Sequence, residues 1–72
     1  MTTNAKKVPV GTEYIKLDSF LKFSGAVATG GDAKYSVQGG KVKVNGEICL
    51  QRGKKLRAGD TVEFDGELFL VD

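Results

Sequence analysis

Histidine is absent from this chain of 72 residues, tryptophan is absent too, and cysteine and proline occur once each. Without histidine, the chain lacks the one side chain whose unperturbed pKa lies near neutrality. An acid–base enzyme would need a carboxylate or lysine shifted by burial, and a small domain has few deep sites for that. Enzymatic chemistry is the disfavoured class, and no residue is nominated as catalytic. A lone Cys49 closes no internal disulfide, and the usual structural zinc sets need four Cys or His ligands. The staples common in small domains are therefore missing, and no cofactor or metal is expected. Packing has to hold a domain that buries only ~60 % of its unfolded surface; an apolar content of 40 % is enough for one small core. No apolar run reaches membrane-span length, and no charged start followed by an apolar core reads as a signal peptide. The expected setting is the cytoplasm, where a reduced thiol is ordinary, with no membrane contact and no small-molecule substrate.

Charge is what the chain has, unevenly. The formal net charge is only +2, yet all eleven Lys and Arg lie within residues 1–57 against four acids, a local balance of +7. Residues 58–72 hold five acids and no base, a balance of −5. The stretch "KVKVNGEICLQRGKKLRAGD", Lys41 to Asp60, concentrates six cations in its first seventeen positions against one acid, Glu47. Sign asymmetry of this kind points to a polyanionic partner.

Residues 1–11 carry no apolar period and read as a mobile N-terminal arm; residues 12–72 read as a single domain. Thr12 to Lys16 can form a short strand. In "KLDSFLKFSG", Leu17, Phe20 and Leu21 fall at i, i+3 and i+4, one face of a helix that Gly25 stops. Thr29 followed by Asp32 fits a capping box opening a second short helix, with Ala33 and Val37 on its apolar face and Gly39-Gly40 at its end. "KVKV-NG-EICL" reads as a hairpin with a type I′ turn at Asn45-Gly46. That turn sets Val44 opposite Glu47, Lys43 opposite Ile48 and Val42 opposite Cys49. Val42, Val44 and Cys49 then face the core, while Lys41 and Lys43 share the outer face with Ile48 and Leu50. "QRGKKLRAGD" reads as a loop, followed by "TVEF", a turn at Asp65-Gly66, and "ELFLV". The fold class is α+β, two short helices packed beside a small, mainly antiparallel sheet.

Three constellations compete with blander readings. "GAVATGGDAK" lacks the Lys-Ser/Thr of a phosphate loop and places Asp32 where a phosphate would sit, so its glycines serve an inter-helix turn. Glu63, Asp65 and Glu67 alternate with Val62 and Phe64 as on a half-exposed strand, a solvated acidic side that would turn nucleic acid away and orient the domain. Cys49 reads as a small core hydrophobe. The dispersed cations of the helices, the hairpin and the loop remain. Their convergence on one surface would give phosphate contact without sequence readout.

"KLDSFLKFSG", "TGGDAKYSVQGGKVKVNGE" and "LRAGD" together resemble the S-four RNA-binding domain, the αL motif of the small-subunit ribosomal protein S-four. The likeness runs from about Tyr14 to Val71 and is closest to short, stand-alone members. It implies structured RNA, possibly ribosomal RNA or ribosomal particles, bound across the two helices and the following hairpin. Carried over by position, it implies backbone contacts from Lys16, Thr29, Lys34, Lys41 and Lys43. Family members often carry arginine at the place of Gly30 and a cation at the place of Tyr35. Here the loop cations Arg52, Lys54, Lys55 and Arg57 can compensate, and Tyr35 can stack on an unpaired base. With Lys22 and Asn45 these complete the candidate RNA-binding set. The rival readings are a protein-interaction module for an acidic partner and a small sulfur-carrier-like protein. The latter needs a Gly-Gly C-terminus, where this sequence has Leu70-Val71-Asp72.

Overall fold

Two tight turns organise the sheet. In the computed structural model, which describes residues 5–72, Asn45 and Gly46 have φ of 52° and 86°, and Asp65 and Gly66 have φ of 53° and 78°. Both central residues of each turn lie in the left-handed region, as a type I′ hairpin requires, so both registers are fixed. The first turn joins β3 (Val42–Val44) to β4 (Glu47–Ile48), with Val44 opposite Glu47 and Lys43 opposite Ile48. The second joins β6 (Thr61–Phe64) to β7 (Glu67–Val71), with Phe64 opposite Glu67. β3 also pairs with β6, antiparallel. Period-two alternation then collects Val42, Val44, Val62, Phe69 and Val71 on one buried face.

Two helices cover that face. Helix α1 (Leu17–Phe23) buries Leu17, Phe20 and Leu21 completely, and Phe20 meets Phe69 edge-to-face at 6.3 Å between ring centroids. Helix α2 (Gly30–Gln38) opens at Thr29, whose Oγ1 accepts the Asp32 N–H at 3.1 Å, and it buries Ala33, Ser36 and Val37. The result is the expected α+β arrangement of two helices beside a mainly antiparallel sheet.

Three expectations need correction. The segment read as a mobile arm contributes β1 (Lys6–Val8), which pairs parallel to β7 and buries Val8; residues 1–4 of that arm lie outside the described residues. Three residues with one apolar side chain show no alternation to detect, and the open edge of β7 decides the pairing. The segment read as a loop contains β5 (Lys55–Leu56), paired antiparallel with β2 (Ile15–Lys16) in a separate two-stranded sheet. Leu56, alone among cations, is fully buried. Cys49 follows the expected register, its N–H donating to Val42 O at 3.0 Å, but it is only half-buried and its thiol donates to Gln51 O at 3.6 Å. It sits just past the end of β4, at the rim of the sheet, and register fixes a side, not a depth.

The five-stranded order is β1-β7-β6-β3-β4, so the first hairpin ends in an edge strand. Asn45 ties its tip to β6. The Asn45 side-chain oxygen accepts the Thr61 N–H at 2.9 Å, and its Nδ2 donates to Asp60 Oδ1 at 3.2 Å. Asn45→Gly, which keeps the turn and loses these bonds, is expected to destabilise the fold by about 1 kcal/mol in urea denaturation. Asn45→Ala, which also puts a Cβ at positive φ, should lower stability further; equal effects would mean that backbone handedness contributes nothing. Leu56→Ala should remove about 2 to 5 kcal/mol by the same measurement, whereas exposed Leu50→Ala should stay within about 0.5 kcal/mol of wild type.

Candidate nucleic-acid interface

The start of α1 gathers the first group of cations. Lys16 occupies the N-cap position and offers no side-chain acceptor to the first turn. Backbone carbonyls of the β4–β5 connection serve instead: Leu17 N–H donates to Lys54 O at 2.8 Å and Asp18 N–H to Arg52 O at 3.0 Å. These bonds satisfy helix N–H groups that have no partner within the helix. They also hold Arg52 and Lys54 against α1, while the β2–β5 ladder sets Lys16 directly opposite Lys55. The Lys55 ammonium lies 4.8 Å from the centroid of the Tyr14 ring.

A second group forms where α2 turns into β3. Gly39 and Gly40 make that turn, and a Cβ at Gly39 would stand 3.0 Å from Tyr35 O, a contact tight enough that the backbone would have to give way. The chain doubles back so that Lys41 N–H donates to Ser36 O at 3.0 Å and the Lys41 ammonium sits 4.9 Å from the Tyr35 ring centroid. Tyr35 is 69 % exposed. On the opposite helix, the Lys22 stem lies near Gly30, its Cδ 3.9 Å from where a Cβ at Gly30 would be. Lys34 is exposed on α2, and Thr29, also exposed, uses its hydroxyl oxygen to cap the helix.

All twelve candidate residues are exposed, but they do not form one uniform set. Lys16, Arg52, Lys54 and Lys55 converge at the start of α1, and Tyr35 and Lys41 converge at the end of α2. The Asn45 amide is committed to Asp60 and Thr61, and the Arg57 N–H is bound to Asp60 Oδ2 at 2.8 Å. Lys43 stands between Ile48 on one side and Glu63 on the other. That position corrects the expectation that the C-terminal acids lie on a side of their own. β6 runs next to β3, so Glu63 is the immediate cross-strand neighbour of a candidate phosphate ligand.

Among the described residues the ion pair is Lys6 with Glu67, at 2.6 Å, on the β1–β7 side; none of the candidate cations is paired with a carboxylate. Two lysines facing each other across a ladder repel, and a cation at a helix N-terminus opposes the helix dipole. Lys16 suffers both. An anion bound at this place would relieve both. Sequence reasoning missed Tyr14, although its i, i+2 spacing from Lys16 in a strand was a signal for a shared face. It also missed an open depression of about 350 Å³ beside β4, lined by Val44, Glu47, Ile48, Cys49, Leu50, Gln51 and Lys54. Among the described residues, no group of three or more His, Cys, Asp or Glu side chains could hold a metal ion, and no helix is long and apolar enough to cross a membrane.

Comparison with known proteins gives the chain a family. The family model of the S4 domain matches residues 8–72. A Bacillus subtilis protein named "Probable ribosome maturation protein RlbA" is 40 % identical over 62 residues, which span 86 % of this chain and 87 % of that one. YbcJ of Escherichia coli is 36 % identical over 53 residues, 74 % of this chain and 76 % of its own. The solution structure of YbcJ, which reveals an αL motif involved in RNA binding, superimposes with a TM-score of 0.71 at 30 % identity, covering 99 % of this chain and 91 % of that one. The helix pair, the capped hairpin and the matched span together make this chain a member of the S4 domain family.

Proposed function

We propose that this chain is a non-enzymatic RNA-binding module of the cytoplasm that grips structured RNA, ribosomal RNA in a ribosomal particle being the favoured target. The observation that carries the reading is Lys16. It stands at a helix N-cap, directly opposite Lys55 and without a carboxylate partner, a placement that weakens the fold and strengthens an anion site. In this reading Lys54, Lys55 and Arg52 contribute phosphate contacts beside it, and Lys34, Lys41 and Lys43 contribute a second group along α2 and the hairpin. The RNA-binding αL motif of YbcJ and the ribosome-maturation name of RlbA support RNA over an acidic protein as the polyanion. Lys22, reaching Gly30, supplies a cation near the position where many relatives carry arginine. Contacts of this kind recognise backbone shape and are lost as salt rises, because each neutralised phosphate releases counterions.

If Lys16, Lys34, Lys41, Lys43, Lys54 and Lys55 meet phosphates, the log–log salt slope on a structured ribosomal RNA fragment should be roughly −4 to −5. Lys41→Ala with Lys43→Ala should make it shallower by about 1 to 2, and similarly across RNA sequences. Lys43, next to Glu63, should account for the smaller part. Lys16→Gln should weaken RNA binding while raising fold stability by about 0.3 to 1 kcal/mol, a pair of opposite signs that a merely structural lysine would not produce. A slope left unchanged by the Lys41 and Lys43 substitutions, with Lys16→Gln neutral on RNA, would remove the assigned surface.

A further inference from the structure

Phosphate binding uses Lys16 and Lys55 but gives no role to the aromatic ring beside them. The β2–β5 ladder pairs Ile15 with Leu56 and Lys16 with Lys55, and cross-strand partners share a face. Ile15 is half-buried and Leu56 fully buried, so that pair points into the domain and the two lysines point out. Tyr14 stands two residues before Lys16, on the outer side by the same alternation. The Lys55 ammonium, 4.8 Å from the Tyr14 ring centroid, puts the ring on the side of the lysines. Tyr14 is 40 % exposed, and the Thr12 hydroxyl donates to its carbonyl oxygen at 2.9 Å, which ties down the backbone ahead of the strand. Two lysines and one ring therefore share an outward face, and neither lysine is paired with a carboxylate among the described residues.

Resting on the RNA-binding reading, we infer that this face is a subsite for one unpaired nucleotide of the bound RNA, its base stacked on Tyr14 and its phosphate held by Lys55 and Lys16. The ring face that the base uses is occupied by the Lys55 ammonium in the free protein, so binding is an exchange. A cation–π contact at an exposed site biases an equilibrium roughly two- to fivefold. Stacking a base on an aromatic side chain is worth roughly five- to a hundredfold. The base takes the ring. The displaced ammonium stays within reach of its own stem, beside Lys16, where a phosphate relieves the repulsion between the two lysines. One nucleotide thus supplies both a planar group for the ring and an anion for the lysine pair. A duplex stem cannot, because its bases are stacked on one another and its phosphates are what it presents. An acidic peptide would satisfy the lysines and leave the ring unused. Every base has a π-face, so the subsite selects an unpaired nucleotide over a paired one, not one base over another.

The test is an abasic scan of the structured ribosomal RNA fragment, one unpaired base removed at a time, so that the number of phosphates stays constant. Wild-type protein and Tyr14→Phe should both lose about tenfold in affinity at one position. Tyr14→Leu, which keeps apolar bulk without a ring, should bind the intact fragment about as weakly as wild type binds that abasic copy, and lose nothing further there. The chain has no tryptophan and two tyrosines, so Tyr14 is the lone emitter in Tyr35→Phe. Its fluorescence should be quenched by the intact fragment and far less by the copy abasic at that position. A flat scan, a loss that persists in Tyr14→Leu, or emission that the intact fragment leaves unchanged overturns the subsite. The phosphate-binding surface then stands if the Lys41 and Lys43 substitutions still flatten the salt slope. Failure of the fragment to bind at all removes the RNA-binding reading, and the subsite with it.

Discussion

The backbone hydrogen bonds from Leu17 and Asp18 to the carbonyls of Lys54 and Arg52 are the constraint on which the arrangement of the site depends. A lysine at the N-cap offers no side-chain acceptor, and Asp18 Oδ1 accepts the Ser19 N–H at 2.7 Å, which leaves the Leu17 and Asp18 amides without a local partner; unsatisfied amides at a partly buried helix start are costly. The connection after β4 has to come to the helix to supply them. Once there, Leu56 is drawn into the core, the short β2–β5 ladder closes, and Arg52, Lys54 and Lys55 are brought to the distant Lys16. Helix α2 shows the contrast. Thr29 caps it from within, so its cation Lys34 and its aromatic Tyr35 are placed by local geometry alone. One half of the surface is therefore as stable as its helix, while the other half depends on tertiary contact.

That division also explains what could be read in the sequence. The Asn45-Gly46 and Asp65-Gly66 turns, the i, i+3, i+4 face of α1 and the Thr29 cap are each decided by a few adjacent residues, and the fold agrees with all of them. β1, β5 and the burial of Leu56 are decided by partners far along the chain. A strand of two or three residues has no periodicity of its own, and one leucine between Lys55 and Arg57 looks like part of a solvated loop. Cys49 illustrates a different limit: alternation gave its side correctly, but the strand ends beside it and solvent reaches the thiol. The linear split of charge misled in the same way at Glu63. Averaging along the chain separates acids from bases, whereas antiparallel pairing of β3 with β6 puts Glu63 beside Lys43.

The cations are held by aromatic rings more than by acids. Lys55 lies over Tyr14 and Lys41 over Tyr35, each ammonium within 5 Å of the ring centroid. A cation–π contact restrains the side chain for about 0.5 to 1 kcal/mol at an exposed site without neutralising its charge. A carboxylate partner would restrain it equally well but would have to be displaced before a phosphate could bind. The Lys6–Glu67 pair, where β1 meets β7, is an ion pair of that second kind. Rings therefore hold two of the proposed phosphate ligands without neutralising them, while Lys6, itself 5.9 Å from the Phe69 ring centroid, has its carboxylate partner at the opposite edge of the sheet. This ranks the candidates physically. Lys41 and Lys55 are ordered and uncompensated, Lys16 is uncompensated and repelled by its own fold, and Lys43 shares its place with Glu63. The gain from binding a polyanion should be greatest where cations face each other without a paired carboxylate, at Lys16 and Lys55. There the phosphate backbone would lower the energy of the bound RNA and of the protein at the same time.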